Sequence, residues 1–325
     1  MSSKNDIAFS IVVPIFNEEE NLPELYRRLS SVMQPLCAQR SFESAGFEII
    51  LVDDGSSDSS WHIINELHKT DKRVTGLSLS RNFGHHVAIS AGLDNAAGQT
   101  IIIMDGDLQD PPEEIPNFVA KLKEGYDLVF GVRAQRSDTL SRKVLSWLFW
   151  FVFKVLLKLD ITTKQSMMRI MNRRYLDSFK RISEKNRFLA GLFAWTGFRQ
   201  TSIIIKHDPR YAGTSKYNLW KMIKLTFNAV TSFSYLPLQL AGFLGMIIAL
   251  ISFLAGIFLI VQRFLYKIDV AGWASTMVSI LFMGGVQLAF LGLIGEYIGR
   301  IFTEVQNRPL YLIKEILSDR VDDQD

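Results

Sequence analysis

The sequence has little cysteine and no large excess of charge of either sign. A single cysteine, Cys37, among 325 residues excludes a disulfide framework and a cysteine-based zinc site, and is typical of a domain in a reducing compartment. The 36 Lys and Arg residues against 33 Asp and Glu residues give a formal net charge of +3. That charge is too small to indicate nucleic-acid binding, so we expect no nucleic-acid partner.

The N-terminal segment Met1–Asp6 lacks the basic stretch and the apolar stretch of a signal peptide. We therefore expect the soluble part of the protein to stay on the side of the membrane where it is made.

Two long segments, 225–262 and 270–295, contain no charged residue. Each exceeds the roughly 20 residues that cross the hydrocarbon core of a bilayer as a helix. Two internal helices of a soluble domain are the alternative, although such helices normally carry a polar stripe. The sequence predicts transmembrane spans at about 236–262 and 270–295, which the short connection makes into a hairpin.

Basic residues indicate how the hairpin is oriented. They are more numerous before the first span and after the second than in the connection, which contains Arg263 and Lys267. The positive-inside bias therefore predicts that both chain ends are cytoplasmic. Mixed aromatic and basic residues at 147–159 and 219–235 predict helices in the headgroup plane, with ordinary core helices as the alternative.

The chain before the spans alternates between two kinds of pattern. Apolar, β-branched runs predict strands at 10–14, 48–52, 74–80, 100–104 and 128–132. Amphipathic stretches predict helices at 19–34, 60–69, 86–97 and 114–124. This alternation predicts an α/β domain with a parallel sheet, whose ligands bind at the carboxyl ends of the strands. We divide the chain into that domain at 1–218, an interfacial helix at 219–235, a hairpin at 236–298 and a tail at 299–325.

Acidic residues follow three of the predicted strands. Glu18 follows the first, Asp53 and Asp54 end the second, and Asp105 and Asp107 follow the fourth. Carboxylates gathered at one sheet edge repel each other unless a cation or hydrogen-bond donors are present. The pair Asp105 and Asp107 suits a divalent ion that also binds a diphosphate. The alternative is that each acidic group belongs only to a turn or a helix cap.

Seven segments carry a specific resemblance. The first four are Val13–Glu19, Val52–Asp58, Ser80–Gly84 and Met104–Glu113. The other three are Gly131–Arg133, Arg210–Tyr217 and Gly295–Ile301. In this order they resemble the motifs of polyprenyl-phosphate glycosyltransferases, which are family-two enzymes with the GT-A fold. That group includes dolichol-phosphate mannose synthases and bactoprenol glucosyltransferases, and the resemblance is greater to the second.

The resemblance implies roles for residues in most of these segments. The nucleotide would be held by Pro14, Glu18, Asp53, Asp54 and Asp105. A cofactor ion, Mg²⁺ or Mn²⁺, would be held by Asp105, Asp107 and Gln109. The acceptor phosphate would be held by Arg133, Arg169, Arg210, Ser215 and Lys216. The catalytic residues would be Asp105, Asp107 and Arg133.

The resemblance also implies a reaction and a location. A hexose would pass from a nucleotide diphosphate sugar to polyprenyl phosphate with inversion, on the cytoplasmic leaflet of the inner cell membrane. The product would serve modification of cell-envelope glycans. UDP-glucose and undecaprenyl phosphate are the first expectation, with mannose, an N-acetylhexosamine or a modified pentose as alternatives. A homo-oligomer, a tetramer in the first instance, is the expected assembly.

Two other functions remain as alternatives. A processive polysaccharide synthase would need more spans and usually a Gln-x-x-Arg-Trp motif, which residues 191–195 do not supply. A catalytically silent membrane adaptor that binds nucleotide sugar or lipid is the alternative outside the enzymes.

One segment departs from the family pattern. Met167 occupies the position where the family usually has Asp, while Arg169 keeps its family position. We expect transfer to survive this change, because a phosphate monoester with a second pKa of about 6 is largely ionised at neutral pH. His85 and His86 follow Gly84, and we expect them to be solvated or to begin a helix and not to bind metal.

Overall fold

The computed structural model describes residues 7–38, 46–133, 165–185, 187–206, 235–266 and 272–319. The chain divides into two compact units. The first comprises Met1–Trp150, Leu159–Tyr217 and Pro309–Asp325, and the second comprises Phe151–Lys158 and Asn218–Arg308. The predicted interfacial helices at 147–159 and 219–235 lie almost wholly outside the described residues.

The strands of the first unit form one sheet in the order β7-β5-β6-β4-β1-β2-β3-β8. The strands are β1 (Ile7–Ile15), β2 (Gly46–Asp53), β3 (Val74–Leu79), β4 (Thr100–Ile103), β5 (Leu128–Arg133), β6 (Gln165–Asn172), β7 (Gln200–Ile205) and β8 (Ile313–Leu317). The helices of this unit are α1 (Leu22–Cys37), α2 (Ser60–Thr70), α3 (His85–Asn95), α4 (Ile115–Lys123), α5 (Arg173–Phe179) and α6 (Leu189–Trp195), with a 3₁₀ turn at Pro112–Glu114.

The predicted α/β fold is confirmed, and the five predicted strands and four predicted helices are all present. β1 pairs in parallel with β2 and β4, and β2 pairs in parallel with β3. The sheet is mostly parallel, as predicted, with two strands that run the other way. β6 runs antiparallel to both β4 and β5, and β8 runs antiparallel to β3.

Helices cover both faces of the sheet. On one face, α1 buries Leu25, Leu29 and Met33, which recur at helical spacing, against the odd-numbered side chains of β1 such as Ile11. On the opposite face, α3 approaches β1 so closely that a Cβ on Gly92 would lie 2.3 Å from Val12 Cγ1. Successive side chains of a strand point to opposite faces, so the two layers share one buried sheet.

Part of the segment predicted as a tail at 299–325 belongs to the sheet. Ile313–Leu317 forms β8 at the edge of the sheet, where Gly76 lies opposite Leu317. Trp61 Nε1 donates to Glu315 Oε2 over 3.2 Å, and Lys72 Nζ donates to Asp319 Oδ1 over 3.2 Å. An edge strand tolerates charged residues because one of its sides faces solvent, which is why the charged sequence concealed it.

The second unit contains two long helices, α7 (Leu236–Tyr266) and α8 (Trp273–Val305). Both are long and apolar enough to cross a membrane, at Leu236–Leu259 and Ser275–Val305. Their large apolar side chains are exposed, which is the pattern of a surface that lipid covers. The helix α8 extends beyond the predicted end of the span at 295, and in this extension Arg300 Nη2 donates to Glu296 Oε1 one turn away over 2.8 Å.

Candidate active site

The predicted carboxylates lie along one edge of the sheet. In the register of the parallel strands, Ile15 of β1 lies opposite Asp53 of β2. On the other side of β1, Val12 lies opposite Ile103, the last residue of β4, and Asp105 follows two residues later. A Cβ on Gly106 would lie 2.9 Å from Ile15 Cδ1 and 3.5 Å from the carbonyl oxygen of Pro14. The loop after β4 therefore passes directly over the end of β1, as the spacing of the acidic motifs predicts.

The loops that follow β1 and β2 are hydrogen-bonded to each other. Asn17 adopts a positive φ of 56°, its amide donates to Ser56 Oγ over 3.0 Å, and its Oδ1 accepts from Ser57 N over 2.8 Å. The Glu18 carboxylate accepts a hydrogen bond from Asn21 Nδ2. These bonds fix the position of Glu18, the predicted nucleotide ligand, beside the end of β2.

Asp53 and Asp54 are both buried, and each accepts hydrogen bonds from a loop. Asp53 Oδ1 accepts from Ser56 N over 3.1 Å. Asp54 Oδ1 accepts from Phe83 N over 2.7 Å, and Oδ2 accepts from Gly84 N over 2.9 Å. Burial raises the pKa of the Asp54 carboxyl, and the two amides oppose that rise. Asp54 therefore orders the loop at residues 80–84, a role that the motif alone did not reveal.

Gly55 is required by the close approach of these two loops. Its φ is +71°, a conformation that side chains disfavour, and a Cβ there would lie 2.7 Å from both Arg81 C and Asn82 N. Neither backbone atom has room to move while Asp54 holds the loop.

Asp105 and Asp107 are the predicted cation ligands in the loop after β4. Asp105 Oδ1 is buried and lies 3.2 Å from His85 Nε2. Asp107 is buried, and its Oδ1 accepts from Gln109 N over 3.2 Å across Leu108, which has a positive φ of 58°. A buried carboxylate oxygen close in sequence to a second, buried carboxylate suits Mg²⁺ or Mn²⁺.

A cation at this position would need ligands from outside the protein. Among the described residues, no group of three or more His, Cys, Asp and Glu side chains is arranged to hold a metal ion. Two carboxylates leave several positions of an octahedral shell for the oxygens of a diphosphate and for water. The donor set therefore fits an ion that binds together with its substrate.

His85 begins α3 beside the carboxylates, as expected for a helix-starting residue. Burial of the ring opposes its protonation, but the hydrogen bond and charge of Asp105 and the charges of Asp54 and Asp107 prevail, so the pKa of His85 is raised. Its contact with Asp105 was missed in the sequence, where only its position after Gly84 pointed to this edge.

His86 differs from the expectation of a solvated side chain. Its Nδ1 is buried, and its ring packs edge-on against Phe188 with centroids 6.4 Å apart. Burial first, and then the positive charges of His85 and Arg169, lower the pKa of His86 to about 4. The ring is therefore neutral at physiological pH.

Arg169 is buried inside the domain. It sits on the central strand β6, opposite Ile103 of β4 and Phe130 of β5, and it is 2% exposed. Its guanidinium carbon lies 4.8 Å from the centroid of the Phe193 ring, and Nη2 donates to Gln165 Oε1 over 2.8 Å. Burial lowers the pKa of Arg169 to about 10, so it remains a cation. Its contact with the acceptor phosphate stays a prediction.

Arg133 ends β5 and is partly exposed. Its Nε lies 3.6 Å from Asp110 Oδ1, and 35% of its side chain is accessible. Asp110 was not assigned any role in the sequence, although it follows Asp105 and Asp107 in the same acidic segment. Arg133 is thus the predicted phosphate-binding residue that the structure places at an accessible position.

Comparison with known proteins decides the family. A model of the family described as glycosyl transferase family 2 matches residues 10–179, which is more than half of the chain. The chain belongs to glycosyl transferase family 2. The matched segment contains β1 to β6 and every acidic residue of the sheet edge, and its mostly parallel sheet is the expected GT-A-like fold.

Relatives of this glycosyltransferase match almost its entire length. An uncharacterized glycosyltransferase of Synechocystis sp. is 41% identical over 311 residues, which are 95% of this chain and 96% of the relative. A prophage-derived bactoprenol glucosyl transferase of Shigella flexneri is 40% identical over 308 residues, which are 94% of this chain and 97% of the relative. Among solved structures, glucosyl-3-phosphoglycerate synthase from Mycobacterium tuberculosis in complex with UDP is 18% identical, with a TM-score of 0.44 over 71% of this chain and 80% of that chain.

Three predicted acceptor residues of the glycosyltransferase lie outside the described residues. They are Arg210, Ser215 and Lys216. Their assignment to the acceptor phosphate stays a prediction.

Proposed function

We propose that this glycosyltransferase moves a hexose, glucose in the first instance, from a nucleotide diphosphate sugar to polyprenyl phosphate. The observation that carries the proposal is the placement of the carboxylates Asp105 and Asp107 at the same sheet edge as Asp53. A bactoprenol glucosyl transferase 40% identical over nearly the whole chain supports a lipid-phosphate acceptor. The two long apolar helices support a reaction at a membrane.

The donor half of the site is the edge formed by the ends of β1, β2 and β4. Glu18, Asp53 and Asp54, with the backbone of Pro14, are the proposed contacts of the nucleoside, because carboxylates accept hydrogen bonds from base and ribose. The proposed ligands of Mg²⁺ or Mn²⁺ are Asp105, Asp107 and Gln109. The ion, when bound, offsets the negative charge that builds up on the departing nucleotide.

The acceptor half requires cations and needs no strong base. An oxygen of the lipid phosphate attacks the anomeric carbon from the face opposite the nucleotide, so the configuration inverts. The new carbon–oxygen bond forms as the bond between the anomeric carbon and the diphosphate breaks. The electron pair of the broken bond leaves with the nucleoside diphosphate. Because the attacking phosphate is already an anion, Met167 in place of a carboxylate is compatible with this step.

Arg133 is the proposed phosphate ligand among the described residues, and its accessible guanidinium suits bidentate binding. Arg210, Ser215 and Lys216 complete the proposed acceptor site in the segment just before α7. Their position in the sequence shortly before α7 suits an acceptor whose lipid tail stays in the membrane. The proposal also includes a transmembrane hairpin formed by α7 and α8 and a cytoplasmic catalytic unit. It further includes a homo-oligomer, for which a tetramer is the first expectation.

The test is a transfer assay with purified full-length protein and a panel of donors. The panel contains UDP-glucose, UDP-N-acetylglucosamine, GDP-mannose and a UDP-pentose, each with Mg²⁺ or Mn²⁺. Polyprenyl phosphate is the acceptor, and polyprenol without phosphate is the matched control. We expect mass spectrometry to find a polyprenyl-phosphate-linked hexose with UDP-glucose and no product from polyprenol.

Three other outcomes of this transfer assay would change the proposal. Transfer from another donor would keep the reaction class and change the sugar. Transfer to polyprenol would contradict the role of the phosphate as nucleophile. No transfer from any donor, with nucleotide binding retained, would favour the silent adaptor.

A further inference from the structure

A buried carboxylate, Asp110, contacts Arg133, the proposed ligand of the acceptor phosphate. Asp110 belongs to the loop after β4, which also carries the proposed metal ligands. Asp110 lies in the loop that carries Asp107 and Gln109, and it is 2% exposed. Its Oδ1 faces Arg133 Nε at 3.6 Å. Its Oδ2 accepts a hydrogen bond from Ser166 Oγ. One side chain therefore joins the loop after β4 to the end of β5 and the beginning of β6.

Ser166 fixes the Asp110 carboxylate from the other side. Ser166 is 1% exposed, and its Oγ accepts from Met168 N over 2.9 Å while it donates to Asp110. A hydroxyl bound on both sides has a single orientation, so the carboxylate that it holds is also held. Met168 N donates to Ser166, Ser166 donates to Asp110, and Arg133 Nε faces the other oxygen of Asp110.

The contact leaves the working end of Arg133 available. Asp110 faces Nε, which lies on the stem side of the guanidinium, and 35% of the arginine side chain remains accessible. The fork of a guanidinium binds two phosphate oxygens only when its plane is correctly oriented. Fixing a long arginine side chain on ligand binding costs conformational entropy. Because Asp110 already orders the side chain in the free protein, that cost no longer reduces the affinity for the phosphate.

We propose that Asp110 is a positioning residue, which orients Arg133 for the acceptor phosphate and couples it to the donor loop. This inference rests on the proposed function. It adds Asp110 and Ser166 to the residues that determine acceptor use. Neither is placed in contact with substrate.

Positioning and simple charge neutralisation predict opposite effects of removing the Asp110 carboxylate on the use of the acceptor phosphate. If Asp110 only neutralised Arg133, its removal would strengthen the attraction of the arginine for a phosphate anion. If Asp110 positions Arg133, its removal weakens acceptor use, because a misplaced group loses rate by up to about 100-fold. The structure favours positioning, since the carboxylate is buried and held by a second hydrogen bond.

The test compares Asp110→Asn, Ser166→Ala and the wild type in full-length protein. The asparagine keeps the shape and the bond to Ser166 but removes the charge that faces Arg133. With the donor that the panel identifies, we expect the KM for polyprenyl phosphate to rise about 10-fold in Asp110→Asn and less in Ser166→Ala. We expect the KM for the nucleotide sugar to stay within about twofold. Glu113→Gln is the matched control, because Glu113 is in the next turn, exposed and paired with Arg28.

A double-mutant cycle with Arg133→Ala separates positioning from a general loss of structure. In the Arg133→Ala background, Asp110→Asn and Ser166→Ala should cause no further rise in the acceptor KM. If Asp110→Asn does not fold, the Ser166→Ala arm of the cycle decides in the same way. An acceptor KM that falls or stays constant, or additive effects in the cycle, would overturn the inference while leaving wild-type transfer intact. Absence of transfer in the wild type would overturn the proposed function, and this inference with it.

Discussion

Replacing Asp54 by asparagine tests whether this carboxylate orders the loop at residues 80–84. The carboxylate is 3% exposed and accepts two amide hydrogen bonds, from Phe83 over 2.7 Å and from Gly84 over 2.9 Å. Asparagine offers one oxygen, so its amide group turns a donor toward the second backbone donor. A buried donor left without a partner costs about 1–3 kcal/mol. For a domain of this size, a loss of about 2 kcal/mol lowers Tm by about 4–8 °C.

The measurement is the thermal unfolding of full-length Asp54→Asn in detergent at pH 7.5, beside the wild type. Glu66→Gln is the control, since Glu66 is an exposed residue paired only with Lys69 one turn away, and we expect no measurable change in its Tm. A Tm for Asp54→Asn equal to that of the control would refute the reasoning. That result would mean that the loop is held by other contacts or that the carboxyl is already protonated at this pH.

Two further variants test other parts of the fold. The pKa of His86 is lowered from 6.5 to about 4, so the unfolded chain binds a proton at this site before the folded protein does. Above pH 7 the His86 ring is neutral in both states, so the free energy of unfolding does not depend on its protonation. As the pH falls from 6.5 to 4, about 3 kcal/mol of folding stability is lost at this residue. His86→Gln should reduce that acid sensitivity in urea unfolding at pH 7.5 and 5, and an unchanged difference between the two pH values would contradict the assignment. Gly92→Ala adds a Cβ only 2.3 Å from Val12 Cγ1 and should cost about 1–3 kcal/mol, measured by the same unfolding experiment. Gly256→Ala, where the added Cβ meets nothing within 4 Å beyond its chain neighbours and its own helix backbone, should cost nothing, and equal losses in the two variants would refute the packing argument.

The sequence predicts the fold best where burial and β-branched residues coincide. The runs that became β1, β2 and β4 are almost entirely buried, so tertiary contacts reinforce the local preference. β6 was missed because its sequence, Gln165–Asn172, contains one β-branched residue, Ile170, and forms a strand through its antiparallel neighbours β4 and β5. β8 was missed because its partner β3 lies more than 200 residues earlier, a distance that no local pattern reports.

For the site, too, the sequence predicts what depends on the order of strands and helices and misses what depends on side-chain packing. Parallel strands bring their carboxyl ends to one edge, so the shared location of Asp53 and Asp105 follows from the pattern of strands and helices. Roles that depend on side-chain packing do not follow from it. Arg169 is a basic residue in a motif, and only its place on the central strand β6 shows that it is buried. The contacts of Asp54 with residues 83–84 and of Asp110 with Arg133 likewise require loops that meet in space.

The measurement that tests the central claim most directly is the rate of sugar transfer to polyprenyl phosphate by Asp105→Asn and Asp107→Asn. Each variant removes one carboxylate of the proposed cation site while keeping its shape, and unfolding temperature serves as the control for structure. With the donor that supports wild-type transfer, we predict that both rates fall by about 100-fold or more at an unchanged Tm. Wild-type rates in both variants would contradict the assignment of this edge as the catalytic centre.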